Sequence, residues 1–143
     1  VSAVDPLLNE YKTRVPFFDT TDYPNTSFVT STLEAFSTNT HYNHVFCMNC
    51  INHVHDIEKA FDVVCSLVKP NGYLLLSIDA HNYSAFKHLF RLVPGDILHP
   101  HQYNLDEYTH FITTRHLKIV KTVLLKTEFT FNHYLLVAER IGS

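Results

Sequence analysis

The stretch DIEKAFDVVCSLVKPNGYLLLSID, Asp56–Asp79, carries two periods in one run. Ile57, Ala60, Phe61, Val64, Leu67 and Val68 recur at helical spacing and make one apolar stripe. Asp56 stands just before the stripe, where a carboxylate caps the first free N–H groups of a helix. Lys69-Pro70-Asn71-Gly72 ends the helix and turns the chain, because proline cannot continue it and glycine accepts unusual backbone angles. Tyr73–Asp79, YLLLSID, then reads as a strand. A helix feeding an apolar strand is one step of a βαβ unit, the building block of a parallel sheet.

The same alternation extends in both directions. Toward the N-terminus, HVFCMN (His44–Asn49) is a strand so apolar that burial on both faces is expected, as in parallel sheets. SFVTST (Ser27–Thr32) is a short β-branched strand, and VSAV (Val1–Val4) is the end of another. Between them Asp5 is placed as a helix cap, Pro6 as the first helical residue, and Leu7, Leu8 and Tyr11 as the apolar face. Pro16 and Pro24 mark an irregular link. Toward the C-terminus a helix is predicted around Ser84–Leu92, then a Pro/Gly loop through Pro100. Asn104–His116 reads as a helix with Asn104 as cap and Glu107 completing a capping box. Lys118–Lys126 and Phe129–Arg140 close the chain as an antiparallel strand pair. These elements describe an open α/β sheet, mostly parallel, with one antiparallel strand.

Composition narrows the function. The 143 residues fit one domain with a real core. A formal net charge of −3 with scattered Lys and Arg speaks against binding to nucleic acid through phosphates. No apolar run approaches the ~20 residues of a membrane span, and no basic-then-apolar leader is visible. Three cysteines, an odd count, point to a reducing, cytoplasmic setting. The chain begins at Val1 and holds one methionine, Met48, which suggests a fragment of a longer frame. With three glycines, Gly72, Gly95 and Gly142, no glycine-rich phosphate loop can be written.

VFCMNCINHVHD (Val45–Asp56) places a C-x-x-C beside an H-x-H, and HPH follows at His99–His101. A strand through Cys47 and Cys50 points the two thiols to opposite faces, and an H-x-H near a helix start diverges. No single conformation aims all four side chains at one ion, so no metal site is assigned. A looser site joining His53 to the His99/His101 loop is the remaining metal reading.

Five segments resemble class I S-adenosylmethionine-dependent methyltransferases. IEKAFDVVCSLVKPNGYLLLSID (Ile57–Asp79) is similar to that family's helix, Lys-Pro-x-Gly turn and strand. HYNHVFCMNCINHVHDIEKAF (His41–Phe61) resembles its fourth-strand segment. VSAVDPLLNEY (Val1–Tyr11) resembles its second strand, ending in an acidic residue. TSFVTSTLEAF (Thr26–Phe36) resembles its third strand and the loop over the adenine, and FNHYLLVAER (Phe131–Arg140) its last strand. The resemblance covers essentially the whole chain. It implies a Rossmann-like methyltransferase sheet with family strand order 3-2-1-4-5-7-6, residues 1–143 forming a single domain that lacks the first βα unit. Loss of the central strand leaves two half-sheets with unpaired inner edges, and buried unpaired backbone groups cost ~1–3 kcal/mol each. Closure is expected from pairing of Val1–Val4 with His44–Asn49, or from another chain, as in a homodimer.

The resemblance implies methyl transfer from S-adenosylmethionine to a small-molecule acceptor. Asp5 is then placed to accept hydrogen bonds from the ribose hydroxyls, Leu33 and Glu34 to border the adenine, and Asn49 to form the crevice rim. His53, His99 and His101 are the candidate general bases, since histidine titrates in the right range. Asn43 and Thr32 stand where the family often has aspartates, and the glycine-rich loop is missing, so this chain alone is expected to bind the cofactor weakly or not at all. Two other readings are a non-catalytic methyltransferase-fold interaction module and a His/Cys metal-binding domain.

Overall fold

A computed structural model of the chain describes residues 1–82 and 103–142. The elements run β1 (Ser2–Val4), α1 (Leu8–Arg14), a 3₁₀ turn (Thr20–Asp22), β2 (Ser27–Val29), β3 (Tyr42–Cys47), a 3₁₀ turn (Ile51–His53), α2 (Ile57–Ser66), β4 (Val68–His81), α3 (Leu105–Thr113), β5 (Leu117–Thr127) and β6 (Phe131–Arg140). They form two compact units, Val1–Ser37 and Thr38–Ser143. The helix predicted around Ser84–Leu92, and both His99 and His101, lie outside the described residues.

In the first unit β1 and β2 run parallel, with Ser2 opposite Ser27 and Val4 opposite Val29. The helix opens later than expected. Asp5 Oδ1 accepts from Leu7 N at 2.7 Å, so Asp5 closes a turn and α1 starts at Leu8 rather than Pro6. Leu8 is buried, and Tyr11, Phe18, Tyr23 and Phe28 pack ring against ring beside it at about 6 Å.

The second unit is a four-stranded sheet of order β3-β4-β6-β5. β3 and β4 are parallel, while β6 pairs antiparallel with both β4 and β5. This is the 4-5-7-6 end of the expected strand order, and β1 and β2 correspond to its 2 and 3. Among the described residues β1 pairs with β2 alone and β3 with β4 alone.

Helices α2 and α3 cover one face of the larger sheet. Ile57, Ala60, Phe61, Val64 and Cys65 of α2, with Tyr108 and Ile112 of α3, bury against Val45, Cys47, Leu74, Leu76, Ile78, Leu136 and Ala138. Full burial of a side chain such as Phe61 is worth about 1.5–3 kcal/mol. Asp56 caps α2 by accepting from Lys59 N, and the Asn104–Glu107 capping box of α3 is complete. α3 ends at Thr113 rather than His116, which instead turns the chain with φ 62°.

Two expectations need correction. β3 is not buried on both faces: Val45 and Cys47 point into the core, but Phe46 between them is 66% exposed. A run of apolar residues reports hydrophobicity without reporting whether a second layer covers it. The Lys69–Gly72 segment is also drawn into β4 rather than leaving the sheet. Tyr42 pairs with Val68 and His44 with Tyr73, so the extra residues bulge, and Asn71 takes φ 60°. A Cβ on Gly72 would stand 2.9 Å from the carbonyl oxygens of Asn43 and Lys69, so the crossing requires glycine.

Candidate functional site

In the first unit the parallel pairing of β1 and β2 brings their carboxyl ends to the same edge, where ligands sit in open α/β sheets. Asp5 follows β1 there. Its N–H bonds Val29 O at 3.2 Å and its Oδ1 is used by Leu7 N. Oδ2 has no protein donor among the described residues, which leaves acceptor capacity for hydroxyl groups. Leu33 and Glu34, both half-buried, lie in the turn after β2, closed by Phe36 N to Thr32 O at 3.1 Å. The structure therefore places Asp5, Leu33 and Glu34 at one end of one two-stranded sheet.

In the second unit the carboxyl ends of β3 and β4 lie side by side. Asn49 turns the chain out of β3 with φ 52°, a left-handed value that asparagine tolerates better than most residues. Its N–H is held by Ser77 Oγ of β4 at 2.6 Å, while the residue itself is exposed. This turn overturns the expected divergence of the two thiols. β3 stops at Cys47, the chain reverses through Asn49, and the Sγ atoms of Cys47 and Cys50 come within 3.0 Å.

The 3₁₀ turn Ile51–His53 then buries its first two residues and exposes its last. Asn52 is buried: its Nδ2 donates to Asp79 O at 3.0 Å and to Tyr108 Oη at 2.9 Å, and its Oδ1 accepts from Asp79 N at 3.3 Å. Burial holds the Tyr108 phenol well above its usual range, with Asp79 adding to the effect, so it remains a neutral hydroxyl. His53 is exposed at the rim, its backbone N–H bonded to Cys50 O.

Beside this network the Asp79 carboxylate meets His133 Nδ1 of β6, and His133 Nε2 lies 3.6 Å from Glu128 Oε2. Lys126 pairs with Glu128 in turn and lowers its carboxyl. Asn52, Asp79, Tyr108 and His133 went unnoticed in the sequence. Asp79 did carry a signal, an acid ending an apolar strand. The others come together only through tertiary contacts, Asn52 with Tyr108 across 56 residues of chain. A cavity of about 420 Å³ opens nearby, lined by His81, Asn82, Leu105, Glu128, Asn132 and Tyr134 among others. Among the described residues no three His, Cys, Asp or Glu side chains gather as a metal site. A site shared by His53 with His99 or His101 falls outside those residues.

The arrangement has counterparts. The methyltransferase domain family matches residues 2–122. A protein of Bacillus halodurans C-125, named provisionally as a methyltransferase, superposes with a TM-score of 0.76 at 14% identity over 99% of this chain and 83% of its own. The YcgJ protein of Bacillus subtilis gives 0.73 at 14% identity over 99% and 82%. The N-methyltransferase NodS of Bradyrhizobium japonicum, solved with S-adenosyl-L-homocysteine, gives 0.71 at 15% identity over 97% and 65%. At these identities the likeness is one of fold. No match is found among the curated proteins.

Proposed function

The chain belongs to the class I S-adenosylmethionine-dependent methyltransferase family, and we propose that it serves methyl transfer from S-adenosylmethionine to a small-molecule acceptor. The methyltransferase-domain match across residues 2–122 carries this reading. When bound, the cofactor supplies a methyl group on an electron-poor sulfonium.

The residues present fit parts of that cofactor. Asp5, with one carboxylate oxygen committed to Leu7 N and the other open, suits a pair of ribose hydroxyls. Leu33 offers an apolar edge and Glu34 an acceptor for the adenine. Asn49 forms the rim at the carboxyl end of β3. His53, exposed three residues beyond Cys50, is the base we assign within the described residues for an acceptor that must lose a proton. His99 and His101 stay in the proposal as alternatives on sequence grounds.

These 143 residues contain no glycine-rich loop, so we expect weak binding by the chain alone. Titration calorimetry with S-adenosylhomocysteine tests both parts. The protein expressed from its full reading frame should bind, the 143-residue chain should bind more weakly, and Asp5→Ala in the longer protein should weaken binding by at least tenfold. No binding by the longer protein would end the enzymatic reading. It would leave the second one, a non-catalytic module that engages a partner through its sheet. That reading is favoured by the exposure of Phe46 and by β1 and β3 each pairing on one side only among the described residues.

A further inference from the structure

The thiol pair at the end of β3 has no part in the methyl-transfer reading. Cys47, the last residue of β3, is buried, and Cys50 is half-buried beyond the turn. Their sulfur atoms are 3.0 Å apart. A disulfide is about 2.05 Å long, so closing it needs roughly 1 Å of side-chain movement. The segment between them is already shaped for closure. Asn49 sits at φ 52° and is pinned to Ser77, and His53 N bonds Cys50 O at 3.0 Å. Cys65 is the contrast within the same chain. It is buried on the core-facing side of α2, its charged neighbours are Arg115, Arg140 and Asp62, and burial pushes its thiol up to about 12.

We infer that Cys47 and Cys50 form a reversible redox site that closes to an intramolecular disulfide, with a small oxidised thiol such as glutathione disulfide as the oxidant. The chemistry balances. The more exposed Cys50 gives its proton to solvent and attacks one sulfur of the small disulfide, whose S–S bond breaks and releases one thiolate. That thiolate takes up a proton. Cys47 then loses its proton, attacks the Cys50 sulfur and displaces the second small thiol. Two protein thiols are oxidised and one small disulfide is reduced to two thiols. The hydrogen bond with Cys50, together with burial, holds the Cys47 thiol protonated well above its usual range, which suits the second step rather than the first. Closure would lock the turn that carries Asn49 and leads into the 3₁₀ turn of Asn52. The site stands independently of the methyltransferase reading.

The test is mass spectrometry with peptide mapping after incubation in glutathione disulfide. The expected result is loss of two hydrogen masses, mapped to the Cys47–Cys50 segment, reversed by dithiothreitol and unchanged in Cys65→Ser. Cys47→Ser should instead accumulate a stable glutathione adduct on Cys50. Cys50→Ser should leave Cys47 unmodified in the folded protein. A wild-type chain that keeps all three thiols alkylatable, or one that holds a persistent adduct on Cys50, would overturn the proposal. The wild-type readout alone decides it should either serine variant fail to fold.

Discussion

Asn52 shows what one buried amide does at the carboxyl edge of the sheet. It binds both the N–H and the C=O of Asp79, as a neighbouring strand would, and meets the Tyr108 hydroxyl besides. Truncation takes the amide from one buried hydroxyl and from two part-buried backbone groups, and a buried group left unsatisfied costs about 1–3 kcal/mol. Asn52→Ala is therefore expected to lower stability by about 3 kcal/mol in urea unfolding. A loss under 1 kcal/mol would show that water replaces the amide. Alkaline pH probes the buried thiols. Burial raises Cys65 from an ordinary 9.0 to about 12 in the folded chain, and Cys47 and Tyr108 shift the same way. Between those values the unfolded chain holds fewer protons than the folded one, so stability falls as pH rises. The contribution is fully present below pH 9 and is lost toward pH 12. Urea midpoints between pH 8 and pH 11 should decline, and Cys65→Ala should decline less steeply. Equal slopes would show that Cys65 ionises as easily folded as unfolded.

At the scale of elements, Arg115 fastens α2 to α3. Its guanidinium donates to Glu58 Oε2 at 2.6 Å, Asp62 Oδ1 at 2.7 Å and Phe111 O at 2.9 Å, and lies about 6 Å from the Phe61 and Phe111 rings. The two carboxylates are two-thirds exposed, so their pairing adds at most about 1 kcal/mol. The packed side of the guanidinium matters more. Arg115→Ala should cost roughly 1.5–3 kcal/mol and Glu58→Gln well under 1 kcal/mol; comparable losses would assign the clamp to charge instead, and salt would then weaken it. Gly72→Ala should cost about 1–3 kcal/mol, as overpacking does, because the new methyl meets two carbonyl oxygens. Caps and periodicity made α2, α3 and the terminal strand pair legible in the sequence, since each rests on neighbours a few residues apart. The convergence of Cys47 with Cys50 was not legible. It depends on a left-handed asparagine that local strand propensity ignores, and on Ser77 being there to hold it. Asp5, Leu33, Glu34 and Asn49 could be located because they follow strands, whereas the Asn52–Tyr108–Asp79 contacts join three separate elements.

Across the whole molecule the two units differ sharply in what they bury. Thr38–Ser143 contains nearly all of the core, whereas in Val1–Ser37 Leu8 is the one apolar side chain that is buried among the described residues. Among the described residues β1 and β3 each pair on one side only, and unpaired strand edges invite another strand. We propose that a homodimer covers them; sedimentation equilibrium should give twice the chain mass, and a monomer at all concentrations would refute this. The same imbalance sets local stability. A unit of fewer than about 40 residues seldom holds its own fold without a staple, and the β1–β2 pairing spans three residues on each strand. Amide hydrogens of β1, α1 and β2 should therefore exchange through local opening at free energies near zero, while those of β4 and β6, paired over nine positions, should wait for global unfolding. Hydrogen-exchange mass spectrometry separates the two cases peptide by peptide. Slow exchange in Val1–Ser37 matching that of β4 would mean that the two units open together, and that the small sheet draws its stability from contacts beyond its own residues.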